Sequence, residues 1–143
     1  VLEQITARGH LGLPLEVRKA DLAAPLYIGL GAASPKVLLV QFCSYDALLC
    51  KLIAPAIADL LERHKDTLGY MWIDTPDLKS AGSKKASLLS FLAFQHLGRQ
   101  GFVRANERLL AAQDEDDGFS DPSLLRIAKA IGLDRAVVMA GLK

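Results

Sequence analysis

The sequence predicts an α/β protein, and three features carry that prediction. Residues 37–43 form a short apolar run rich in branched side chains, residues 47–64 repeat apolar positions with a helical period, and residues 69–74 form a second strand-like run. Strand, helix and strand in succession make a right-handed βαβ unit whose two strands are parallel. From Ser80 onward the pattern turns helical.

Composition bounds the rest. A chain of 143 residues suffices for one domain with a real core, burying about 70% of the surface that the unfolded chain exposes. Hydrophobic residues make up 51% and charged residues 23%, the balance of a packed protein rather than a disordered one. Seventeen Lys+Arg against sixteen Asp+Glu leave a formal charge of +1, so nothing argues for nucleic acid or an anionic membrane as partner. No apolar run approaches the ~18 residues of a membrane span, and the opening VLEQITARGH has no signal-peptide core. Two cysteines are too few for a disulfide scaffold, and without Cys/His spacing a zinc or other metal site has no support.

Taken in order, residues 16–22 have the composition for two turns of helix, and residues 25–31 read as a short extended piece. Gly29-Leu30-Gly31 precedes a strand and not a helix, which excludes a phosphate loop. The run at 37–43 suits a strand covered on both faces. Ser44, Tyr45 and Asp46 break it, and Asp46 is a good N-cap for a helix opening at Ala47. In that helix Leu49, Leu52, Ile53, Ile57, Leu60 and Leu61 fit one broad buried face. Pro55 lies inside it; an interior proline costs roughly 3 kcal/mol, so the fold must require or tolerate a bend.

Tyr70 and Trp72 are read as strand core in the run at 69–74. Residues 83–97 then form a helix capped by Ser83 and ended by Gly98 with Gly101, and residues 102–112 form a second. Residues 114–117 make an acidic, solvated loop. Asp121-Pro122 starts a third helix with Leu124, Leu125, Ile127, Ala128 and Ile131 as its buried stripe, stopped at Gly132. A short helix from Arg135 to Leu142 closes the chain.

The segment Cys50-Lys51-Leu52-Ile53-Ala54-Pro55, behind an apolar strand and a short turn, resembles the active-site segment of the thioredoxin superfamily. There a C-x-x-C opens the first long helix and a proline kinks it. Gln100-Gly101-Phe102, Leu109-Leu110 and the LLRIAKAIGLD run at 124–134, in that order, narrow the resemblance to the DsbA-like branch over about residues 28–140. The resemblance implies a thioredoxin-like fold with a helical insertion: one domain over residues 1–143, a βαβ motif at 25–79 and a helical subdomain at 80–143. What the resemblance would supply next, the cis-proline loop and the closing strands and helix of the C-terminal part, does not occur in these 143 residues, which leaves a truncated polypeptide, an unseen part or a reduced variant of the fold as the alternatives. Thr75-Pro76 does not supply the loop, because it precedes the helices. The implied activity is protein thiol-disulfide exchange without a cofactor, on polypeptides bearing thiols or disulfides, in a periplasmic or secreted setting.

Two positions depart from the family pattern. Ala47 stands where relatives carry the first, nucleophilic cysteine, so the motif reads Ala47-Leu48-Leu49-Cys50; Gln41 stands where they often place a buried carboxylate. The expectation is a degenerate, weakened site, with a non-catalytic protein-interaction module as the alternative. Open edges of an incomplete sheet further predict a homodimer.

Cys50 is the sharpest candidate, since backbone N–H groups at a helix start favour a thiolate; against that, it reads as a small, inert core residue. Cys43, seven residues earlier, is the second candidate. A bridge between them needs Cα atoms within roughly 7 Å, and two unpaired thiols are the equal alternative. His10, His64 and His96 have no partners at a diagnostic spacing, nor do Ser44 and Ser83.

Overall fold

A computed structural model describes residues 27–142, so the expected helix at 16–22 and His10 lie outside the described residues. The two apolar runs form strands β2 (Val37–Cys43) and β3 (Leu68–Asp74), paired in parallel with Gln41 opposite Trp72 and Cys43 opposite Asp74. The extended piece before them is β1 (Tyr27–Gly31), antiparallel to β3, giving a sheet of order β1-β3-β2. At the β1 exit Gly31 has φ 85°, and a Cβ there would meet the Leu68 carbonyl at 2.4 Å, so the turn admits only glycine.

Between β2 and β3 runs helix α1 (Leu48–Arg63), with Pro55 inside it. Its start differs from expectation: Ala47 is the N-cap and offers no side-chain bond, while the Asp46 carboxylate accepts instead from the Ser44 hydroxyl. Its burial differs too. Only Cys50 is buried; Leu49, Leu52 and Leu60 are exposed, and Ile53, Ile57 and Leu61 are half-buried. The apolar stripe is present, but among the described residues too little packs on it to cover it. For the same reason β2 is not covered on both faces among the described residues: Val37, Leu38 and Phe42 are exposed, and among those residues β2 is an edge strand paired with β3 alone.

The helical half begins with α2 (Ala81–Ala111), capped by Ser80 rather than Ser83: the Ser80 hydroxyl accepts from the Ser83 N–H at 3.1 Å. Two helical segments meet within α2 at Gly98 (φ 65°, ψ −161°), a conformation essentially reserved to glycine. Gly101 is not part of the stop; it is buried in the second segment, where a Cβ would meet the Ala93 carbonyl at 2.6 Å. After a 3₁₀ turn (Ala112–Asp114) comes α3 (Asp121–Ile131), capped by Ser120 with Asp121 in its first turn, and ended by Gly132 in the left-handed region. Helix α4 (Arg135–Gly141) is capped by Asp134. The expected stripe of α3 is buried except at the half-buried Leu125.

The core lies between one face of the sheet and α2. Trp72 stacks on Tyr45 with ring centroids 5.3 Å apart and tilts against Phe102 of α2 at 6.4 Å. Leu89, Leu109, Leu124 and Val138 extend that core through the helices. The acidic loop is solvated but not idle, since Arg126 holds Glu115 and Asp117, and Lys51 of α1 reaches Asp114.

Candidate functional site at the β2 to α1 turn

Strand β2 ends at Cys43, and the turn 44–47 brings the chain back so that the first turn of α1 lies over that strand end. This places Cys43 and Cys50 with Cα atoms 6.0 Å apart, and the two are joined in a disulfide. The expectation that Cys50 lost its partner with the substitution at Ala47 is therefore overturned: Cys43, at the end of the strand, is the second sulfur. Of the two readings left open for this pair, the bonded one holds, and the described residues contain no free cysteine. Both cysteines are buried, Cys43 at 4% and Cys50 at 6% exposure.

A buried polar chain leads to the sulfur. The Tyr70 hydroxyl donates to Gln41 Oε1 at 2.6 Å, and Gln41 Nε2 donates to Cys43 Sγ at 2.7 Å. Burial pushes the Tyr70 phenol well up, so it stays a protonated donor throughout the ordinary range. An amide cannot trade protons as a carboxylate would, yet it aims a fixed N–H at the sulfur.

Helical side chains hold the turn itself. Ser44 and Ser83 hydroxyls meet at 3.1 Å, and the Ser83 hydroxyl also accepts from the Asp77 N–H at 3.1 Å. Gln113, in the 3₁₀ turn, donates to the carbonyls of Tyr45 and Ala47. Ser44 and Ser83 are thus positioning groups, and Gln113 is one that sequence reading missed, having no local pattern to announce it. Asp74 was also missed. It stands opposite Cys43 across the sheet, with its Oδ1 buried and unpartnered. Burial is the main cause holding its carboxyl above the ordinary carboxylate value; hydrogen bonding by the Ser87 hydroxyl and the Thr75 N–H pulls it part of the way back, and the nearby Asp46 carboxylate adds a smaller push upward.

The remaining candidates scatter. Leu48 and Leu49 are exposed beside the disulfide, Pro55 is exposed on α1, and His64 and His96 are exposed far from any cluster. No group of metal-ligating side chains occurs among the described residues, and no described helix is long and apolar enough to cross a membrane. Beside the site lies a groove of about 470 Å³ between α1 and α2, floored by Gln41, Tyr70 and Trp72.

Comparison with solved structures finds the same fold. The thiol-disulfide exchange protein alpha-DsbA2 from Wolbachia pipientis superposes with a TM-score of 0.69 at 28% identity, covering 86% of this chain and 61% of that one. The chain has a DsbA-like, thioredoxin-like fold. A thioredoxin-like oxidoreductase from Silicibacter pomeroyi DSS-3 shares the fold at a TM-score of 0.68 and 21% identity, over 83% of this DsbA-like chain and 64% of its own. So does a periplasmic thioredoxin-like protein from Salmonella enterica serovar Typhimurium, at 0.66 and 19%, over 85% and 68%. The DsbA-like chain thus spans about three fifths of the length of the Wolbachia protein, and it carries the βαβ motif followed by the helical insertion. No family model and no curated protein sequence matches it.

Proposed function

We propose that this chain is a thiol-disulfide exchange protein whose redox centre is the shifted pair Cys43–Cys50, acting on polypeptide thiols or disulfides in a periplasmic or secreted setting. The observation that carries the reading is the disulfide itself, at the strand-to-helix turn and fed by a buried hydrogen-bond chain through Gln41. Exposed Leu48 and Leu49 beside Cys50 give an apolar surface against which an extended polypeptide can lie. Turnover is weakened relative to a C-x-x-C pair, because both sulfurs are buried and an attacking thiolate must first reach one of them. Ala47, where relatives carry the attacking sulfur, has no group to offer.

Oxidation of a peptide carrying two cysteines, with the chain as the only disulfide, tests this. One peptide disulfide forms per chain disulfide reduced, and Cys50→Ser abolishes the reaction. The competing reading is a non-catalytic interaction module that keeps the fold and the apolar surface. It predicts no peptide oxidation by the native chain and peptide binding that Cys50→Ser leaves unchanged.

A further inference from the structure

We propose that Asp74 is the proton donor and acceptor for the Cys43 sulfur as the disulfide opens and closes. The proposal rests on the exchange reading above and adds to it the residue that handles the proton. Asp74 and Cys43 are opposite one another on parallel strands, which run about 4.8 Å apart, and opposite residues share a face. The Thr75 N–H pins that register by donating to the Cys43 carbonyl at 2.8 Å. The face is the one carrying the redox chemistry: Gln41, two residues before Cys43, bonds Tyr70, and Trp72, two before Asp74, stacks on Tyr45 of the turn. Among the described residues Asp74 makes no ion pair, and its Oδ1 is buried without a partner. The groups around it are the Tyr45 and Tyr70 phenols and the Asp46 carboxylate from the sheet and turn, and the Ser87 hydroxyl from α2. Both phenols are held protonated by burial, and Asp46 is exposed and engaged by Ser44, which leaves Asp74 as the acid facing that interior.

The step balances as follows. A thiolate of a dithiol polypeptide attacks Cys50 Sγ, forming a mixed disulfide; the bond between the two protein sulfurs breaks and its electron pair goes to Cys43 Sγ. The Gln41 N–H is already directed at that sulfur, and the Asp74 carboxyl delivers the proton that makes it a thiol. The second polypeptide thiolate then attacks its own bonded sulfur and releases the Cys50 thiolate at the start of α1. The polypeptide leaves oxidised and the chain reduced. On re-oxidation by a disulfide, the Asp74 carboxylate takes the Cys43 proton back.

Linkage makes the proposal testable without a variant, because a proton shared between two groups gives each a titration that depends on the state of the other. Asp74's side-chain carboxyl, assigned through its own backbone, is titrated by ¹³C NMR in the oxidised and the dithiothreitol-reduced chain. The expected result is a different midpoint in the two forms. Alongside, Asp74→Asn is expected to slow reduction by dithiothreitol about 10- to 100-fold and to remove one limb of its pH profile, with Asp74→Glu recovering part of both. Identical Asp74 midpoints in the two forms, or an unchanged profile in Asp74→Asn, overturn the role of Asp74 while leaving the exchange reading intact. A folded chain that dithiothreitol does not reduce overturns both.

Discussion

Gln41 and Asp74 each have a separate thermodynamic signature. Gln41→Leu removes the acceptor of the buried Tyr70 hydroxyl and leaves it unpaired, so a loss of about 1–3 kcal/mol is expected in urea unfolding. A stability equal to the parent's contradicts the bond. For Asp74 the sign runs the other way. Its carboxyl binds its proton more tightly in the folded chain than in the unfolded one, so its favourable contribution is complete below the ordinary carboxylate value and is lost as pH rises through its folded value. Asp74→Asn, neutral at every pH, should therefore be more stable than the parent near neutral pH, and the two urea midpoints should converge in acid. A gap that does not narrow with falling pH contradicts the burial of that charge. The sequence placed Gln41 and Cys50 at the site, because both lie within one strand-turn-helix run. Asp74 and Gln113 come from distant segments, and only the sheet register and the path of α2 bring them in.

Among the elements, α1 is tethered more than packed, since Cys50 is its one buried side chain and Cys50 is bonded to β2. Reduction should accordingly raise amide exchange through the first turns of α1 while leaving the α2 and α3 interiors as protected as before. Uniform loss of protection across the chain contradicts the tether. In α2 the joint is Gly98: an alanine there finds room but not an allowed backbone, and Gly98→Ala should cost about 1–3 kcal/mol by thermal or urea unfolding. Element positions were legible wherever period and punctuation agree. Strand β2 fell where the branched run lies, and α3 fell between a capping segment and Gly132. What periodicity cannot show is whether a partner exists for an apolar stripe, and hence the exposed Leu49 and Leu52 of α1. Nor do spaced glycines declare which one turns the helix: Gly98 does, and Gly101 lies buried in the segment after it.

At the scale of the whole molecule, the free edge of β2 and the exposed Val37, Leu38 and Phe42 leave one side of the sheet open among the described residues. An uncovered apolar edge strand promotes association, so light scattering should rise with concentration and fall in Phe42→Lys; scattering unaffected by that substitution contradicts it. The chain spans 61% of the Wolbachia protein, and 86% of this chain takes part in the match. The disulfide closes a loop with a sequence separation of 7, and loop-closure entropy assigns such a ring about 2.5 kcal/mol. That magnitude suits a structural tether and a redox centre equally, so stability alone does not separate them. Equilibration of the folded chain with mixtures of reduced and oxidised glutathione does, read through the single tryptophan, Trp72, which sits 2% exposed against Tyr45 of the turn that the disulfide closes. Cys43–Cys50 is expected to open and reclose reversibly while the chain stays folded, with a tryptophan signal that tracks the glutathione ratio. A disulfide that stays closed at every ratio until the protein is unfolded would contradict it.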